Sequence, residues 1–88
     1  MSRVLSAQLK DEVGKKVELL GRLYSLRELS SELAFLNIQD RSGIVQFVFE
    51  GKKVDAKVGS IVKVTGTVKE EKRAALGVEV MGETLEVL

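Results

Sequence analysis

Asp40-Arg41-Ser42-Gly43-Ile44-Val45-Gln46-Phe47-Val48-Phe49 joins a four-residue turn to a strand that alternates apolar side chains with one glutamine. A polar first residue and a final glycine mark Asp40 to Gly43 as a hairpin turn, so the segments on either side should pair antiparallel. Upstream, residues 33–39 place Ala34, Leu36 and Ile38 on one face and Phe35, Asn37 and Gln39 on the other. Downstream, residues 44–49 send Val45, Phe47 and Phe49 toward a core, which turns Gln46 outward.

The same period of two runs through most of the chain. From Lys16, Val17, Leu19, Gly21 and Leu23 alternate with Glu18, Leu20, Arg22 and Tyr24, a long first strand with a glycine where a sheet can bend. Residues 28–32 read as a loop. Residues 50–59 are a polar connection, residues 61–69 alternate cleanly as a fourth strand, and 69–75 form a charged hairpin loop. A last strand covers 77–81 and 84–88, interrupted at Gly82. Ahead of the strands, Val4, Leu5, Leu9 and Val13 have helical spacing, with Ser6 as N-cap and Gly14 as stop. Five strands, mid-strand glycines at Gly21 and Gly66, and a non-hairpin link between the third and fourth strands favour an all-β, five-stranded OB-fold Greek-key barrel with a short N-terminal helical segment. An SH3-like barrel is the alternative. The expected organisation is one domain over 1–88, with a lead-in over 1–15 and the barrel over 16–88.

Composition narrows the chemistry. A chain of 88 residues has neither cysteine nor histidine, which removes the common zinc sites and every histidine-activated nucleophile. No carboxylate pair has an acid–base or metal spacing, so neither enzyme activity, nor a metal site, nor a cofactor is expected. Fourteen basic residues against thirteen acidic ones give a net charge of +1, so attraction to nucleic acid must come from local placement. No segment approaches the about 20 apolar residues of a membrane span, and the N-terminus lacks a signal-peptide pattern, so the reading is cytoplasmic with no membrane partner.

The outward face of the first three strands is where function is expected. Arg22, Tyr24, Leu26, Phe35, Asn37, Gln39, Ile44, Gln46 and Val48 combine aromatics, carboxamides and aliphatics, unlike the Lys/Thr face of strand four. Such a mixture fits unstacked bases, with Phe35 or Tyr24 as a stacking plate and carboxamides reading base edges. Alternatively, Phe35, Ile44 and Val48 lie under a loop as ordinary core. Arg27, at the end of strand one, is placed for a phosphate or base. Glu79 is an outward polar residue beside the last loop, placed to accept a base amino group.

The segments Gly21-Arg22-Leu23-Tyr24-Ser25-Leu26-Arg27 and Phe35 to Gln46 resemble the N-terminal anticodon-binding OB domain of aspartyl- and asparaginyl-tRNA synthetases, over nearly the whole chain. The resemblance implies that Phe35 stacks on the central anticodon uracil, that Gln46 hydrogen-bonds that base and that Arg27 adds a base or backbone contact. It also implies that Glu79 helps read a neighbouring anticodon base. The implied partner is a tRNA anticodon or other single-stranded RNA. The chain departs from the family pattern at Arg22, in the 28–32 segment and at Gln39. Those departures motivate a second reading, a protein-interaction module or engineered binding scaffold using the same strand face.

Overall fold

The computed structural model describes residues 2–88. Short β1 (Ser2–Arg3) and a 3-10 helix (Ser6–Asp11) precede β2 (Lys16–Ser30), β3 (Leu33–Asp40), β4 (Gly43–Glu50), β5 (Ile61–Glu70) and β6 (Val78–Val87). The strands run in the order β1-β2-β3-β4-β6-β5, and β2 pairs again with β5 to close the barrel. This is the five-stranded OB topology, with β1 added parallel to β2.

Closure depends on β2 bending so that its first half pairs with β5 and its second half with β3. Gly21 sits at the crossover. A Cβ there would lie 2.5 Å from the Gln39 carbonyl oxygen and 2.7 Å from Ile38 Cγ2, so only glycine allows this approach. Inward residues of β2 to β6, among them Leu19, Leu23, Leu36, Ile38, Phe47, Val64 and Val80, are fully buried. Leu9 of the 3-10 helix is buried with them and plugs one end.

Several expectations change. Strand β2 continues to Ser30, so the segment read as a loop is strand and turn, and Arg27 lies inside the strand rather than at its end. Polar residues survive there because they face solvent at the open tip of the β2–β3 hairpin. A bulge between Leu23 and Ser25 also reverses the alternation: Ser25 and Arg27 pair with Asn37 and Phe35 on the outer face, while Leu26 packs against the core. Strand β6 is continuous through Gly82, with the irregularity absorbed as a register shift opposite Thr65 and Gly66. The lead-in is a 3-10 turn preceded by a strand. Its N-cap is Leu5, whose N–H donates to Gln8 Oε1 at 2.9 Å, while Ser6 is buried and Val13 exposed.

Candidate nucleic-acid interface

The turn that opens β4 is fixed by Asp40. Its Oδ1 accepts the N–H groups of Ser42 (2.9 Å) and Gly43 (3.1 Å) and the hydroxyl of Ser6 (2.8 Å); Oδ2 accepts the Ser6 N–H at 2.7 Å. The β3–β4 register is thereby set, with Asn37 opposite Gln46, Phe35 opposite Val48 and Gln39 opposite Ile44. Parallel pairing of β4 with β6 sets Phe47 opposite Val80 and Val48 opposite Met81, which brings Glu79 beside Gln46. Next across the sheet, Glu79 pairs with Lys69 of β5.

Two rows follow from this register. One is polar: Asn37 Nδ2 donates to Ser25 Oγ (2.8 Å), Gln46 Nε2 donates to Glu79 Oε2 (3.1 Å), and Lys69 Nζ lies 3.9 Å from Glu79 Oε1. The adjacent row runs from Arg27 through Phe35 and Val48 to Met81 and is apolar after its first member. Phe35 and Gln46 are diagonal neighbours across one strand pair, a separation of about 7–8 Å that a single planar ligand spans.

Apart from Ser25 and Arg27, both rows floor a cleft of about 840 Å³ whose far wall is the β5–β6 loop, including Arg73, Ala74 and Leu76. Tyr24, Phe35, Asn37, Gln46 and Glu79 all line it. Tyr24 is 55% exposed because the bulge pushes it out of the pleat. Arg22 and Gln39, cross-strand partners, instead line a second groove of about 500 Å³ with Leu5, Gly21 and Ile61 at the other end of the strands. Arg27 is exposed and lines neither, although its register partner is Phe35. Val48 lies nearly buried in the cleft floor and Ile44 stays partly exposed on its margin.

Glu79 faces outward and lines the cleft as expected, but it is only 8% exposed and already engaged with Gln46 and Lys69. Gln46 on β4 and Lys69 on β5 flank its side chain and engage one carboxylate oxygen each. Met81 and Leu76 were not singled out from the sequence, because a parallel pairing between distant strands leaves no local pattern. On the loop, the Arg73 side chain and backbone hydrogen-bond to Glu71, which holds the Glu71 carboxyl below its usual value. Among the described residues no cluster of three or more metal-ligating side chains occurs, and no helix is long and apolar enough to cross a membrane.

Residues 17–88 match the tRNA anticodon family, an OB-fold nucleic acid binding domain. The aspartate–tRNA(Asp/Asn) ligase of Thermus thermophilus is 44% identical over 86 residues, which cover 98% of this chain and 20% of that protein. The asparagine–tRNA ligase of Thermococcus kodakarensis is 40% identical over 97 residues, covering all of this chain and 22% of the ligase. The asparaginyl-tRNA synthetase of Pyrococcus horikoshii, in its crystal structure with asparaginyl-adenylate, superposes with a TM-score of 0.84 at 35% identity, over 97% of this chain and 22% of its own. The chain thus spans about a fifth of the length of these relatives. It belongs to the family of anticodon-binding OB domains found in aspartyl- and asparaginyl-tRNA synthetases.

Proposed function

We propose that this module binds the anticodon loop of an aspartate- or asparagine-accepting tRNA in the cytoplasm and has no catalysis of its own. The observation that carries the reading is the diagonal placement of Phe35 and Gln46 on the cleft floor. An extruded base lying on the Phe35 ring presents its Watson–Crick edge to the Gln46 amide, which supplies one acceptor and one remaining donor. Arg27, opposite Phe35, lies beside the same base and offers its guanidinium to the adjoining backbone. Tyr24 and Asn37 bound the remaining side of the base site. Arg22 and Gln39, in the second groove, stand apart from that first contact.

Binding of a fluorescent anticodon stem-loop with GUC or GUU tests this directly. Phe35→Ala should weaken binding about tenfold, the loss of one stacked base, and Gln46→Ala should weaken it and reduce discrimination at the middle position. The reading is lost if both variants bind as the parent does, or if swapping the middle base leaves affinity unchanged.

A further inference from the structure

We infer that Glu79 is a positioning residue that fixes which way round the Gln46 amide presents its donor and acceptor, and so sets the preference for uracil over cytosine in the middle anticodon position. This rests on the anticodon reading above and adds to it the origin of the base choice.

A glutamine amide is ambivalent: a half-turn exchanges its oxygen and nitrogen and reverses what it recognises. For a base clamped on Phe35 the distinction matters. Along the edge from position 4 to position 3, uracil offers an acceptor then a donor, whereas cytosine offers a donor then an acceptor. One amide orientation therefore pairs with uracil there and the reverse orientation pairs with cytosine. An amide free to turn accepts both.

Glu79 removes that freedom. A carboxylate only accepts hydrogen bonds, so the Gln46 atom that meets Glu79 Oε2 at 3.1 Å must be the NH2 nitrogen. The second N–H and Oε1 then remain, in one fixed order, for the base. Glu79 is itself held, being 8% exposed between Gln46 and Lys69, whose ammonium lies 3.9 Å from its other oxygen. The row Asn37–Gln46–Glu79–Lys69 is continuous across four strands, so the lock is built into the sheet register rather than a mobile loop.

The test is Glu79→Gln, which keeps the shape and a hydrogen-bonding partner but can accept or donate. Stem-loops carry U or C in the middle position and, separately, a substituted flanking base. The unmodified protein should favour U by about tenfold or more, and Glu79→Gln should bring the ratio to about twofold, with the flanking-base preference unchanged. An unchanged U/C ratio overturns the inference. A change at the flanking base alone overturns it as well, assigning Glu79 to direct base contact. The lock is also read without RNA: the Gln46 side-chain NH2 resonances should shift in Glu79→Gln, and an unmoved pair shows that no lock exists. If the unmodified protein binds no stem-loop, the anticodon reading fails and the specificity role with it, whereas the NH2 resonances still report the lock.

Discussion

Phe49 closes one end of the core by lying over Gly82. A Cβ on Gly82 would fall 2.5–2.7 Å from three ring carbons of Phe49, far inside any ordinary contact. The ring cannot simply swing aside, because it is buried and stacked on Phe47 with centroids 6.4 Å apart and planes 19° from parallel. Gly82→Ala should therefore cost about 1–3 kcal/mol through overpacking, read as a lower urea midpoint at unchanged slope. A midpoint equal to the parent's would show that the ring has room to move. Read from the sequence, Gly82 breaks the last strand; in the fold it sustains that strand by admitting an aromatic ring. Likewise Gly21 was legible as a bend, because a missing side chain within a strand pattern signals a close approach whatever its partner. The identity of that partner, the Gln39 carbonyl, needed the three-dimensional pairing.

At the scale of elements, period-two alternation revealed β3, β4 and β5 almost to the residue, since each has one buried face and one wetter face. The alternation misled within β2, where the bulge at Tyr24 reverses the faces with no special residue to announce it. Much of the candidate site was thus legible: Phe35, Asn37 and Gln46 follow from one hairpin and Glu79 from its outward place in the last strand, whereas Ser25, Met81 and the Gln46–Glu79 contact depend on pairings between strands far apart in sequence. The 3-10 helix shows the same limit, because its anchor is Asp40, 34 residues away from Ser6. Burial pushes the Asp40 carboxyl up, but hydrogen bonds from Ser42 and Ser6, through side chain and backbone, together outweigh it and hold the group below its usual value. A folded value below the unfolded one means that the stabilisation is fully present above the unfolded value and is lost as pH falls through the folded one. Melting temperature should accordingly drop below about pH 4, and Asp40→Asn, less stable at neutral pH, should lose less on acidification. Parallel pH profiles for the two proteins would show that Asp40 does not anchor the helix.

For the whole molecule, the proposed function requires a nearly neutral domain to hold an RNA. The net charge is +1, and six of the fourteen basic residues are already paired: Arg3 to Glu18, Lys15 to Glu12, Lys16 to Glu83, Lys63 to Glu86, Lys69 to Glu79 and Arg73 to Glu71. Arg27, beside Phe35, makes no ion pair among the described residues and is the cation nearest the proposed base site left free for a phosphate. If the module binds as proposed, counterion release should supply little of the affinity, and stacking with amide-to-base hydrogen bonding most of it. With Arg27 and one or two further cations contacting phosphates of a single strand, the slope of log affinity against log salt should be about −2. Titrations of an anticodon stem-loop at several salt concentrations measure it. A slope steeper than about −5 would mean that the module grips RNA as a polyanion, and that the cleft is not what selects its ligand. A shallow slope has a further consequence, because a module that gains little from charge also gains little from the wrong RNA. Discrimination then rests on the Phe35–Gln46 floor, and Phe35→Ala should lower affinity by the same factor at every salt concentration while Arg27→Ala flattens the slope by about 0.7.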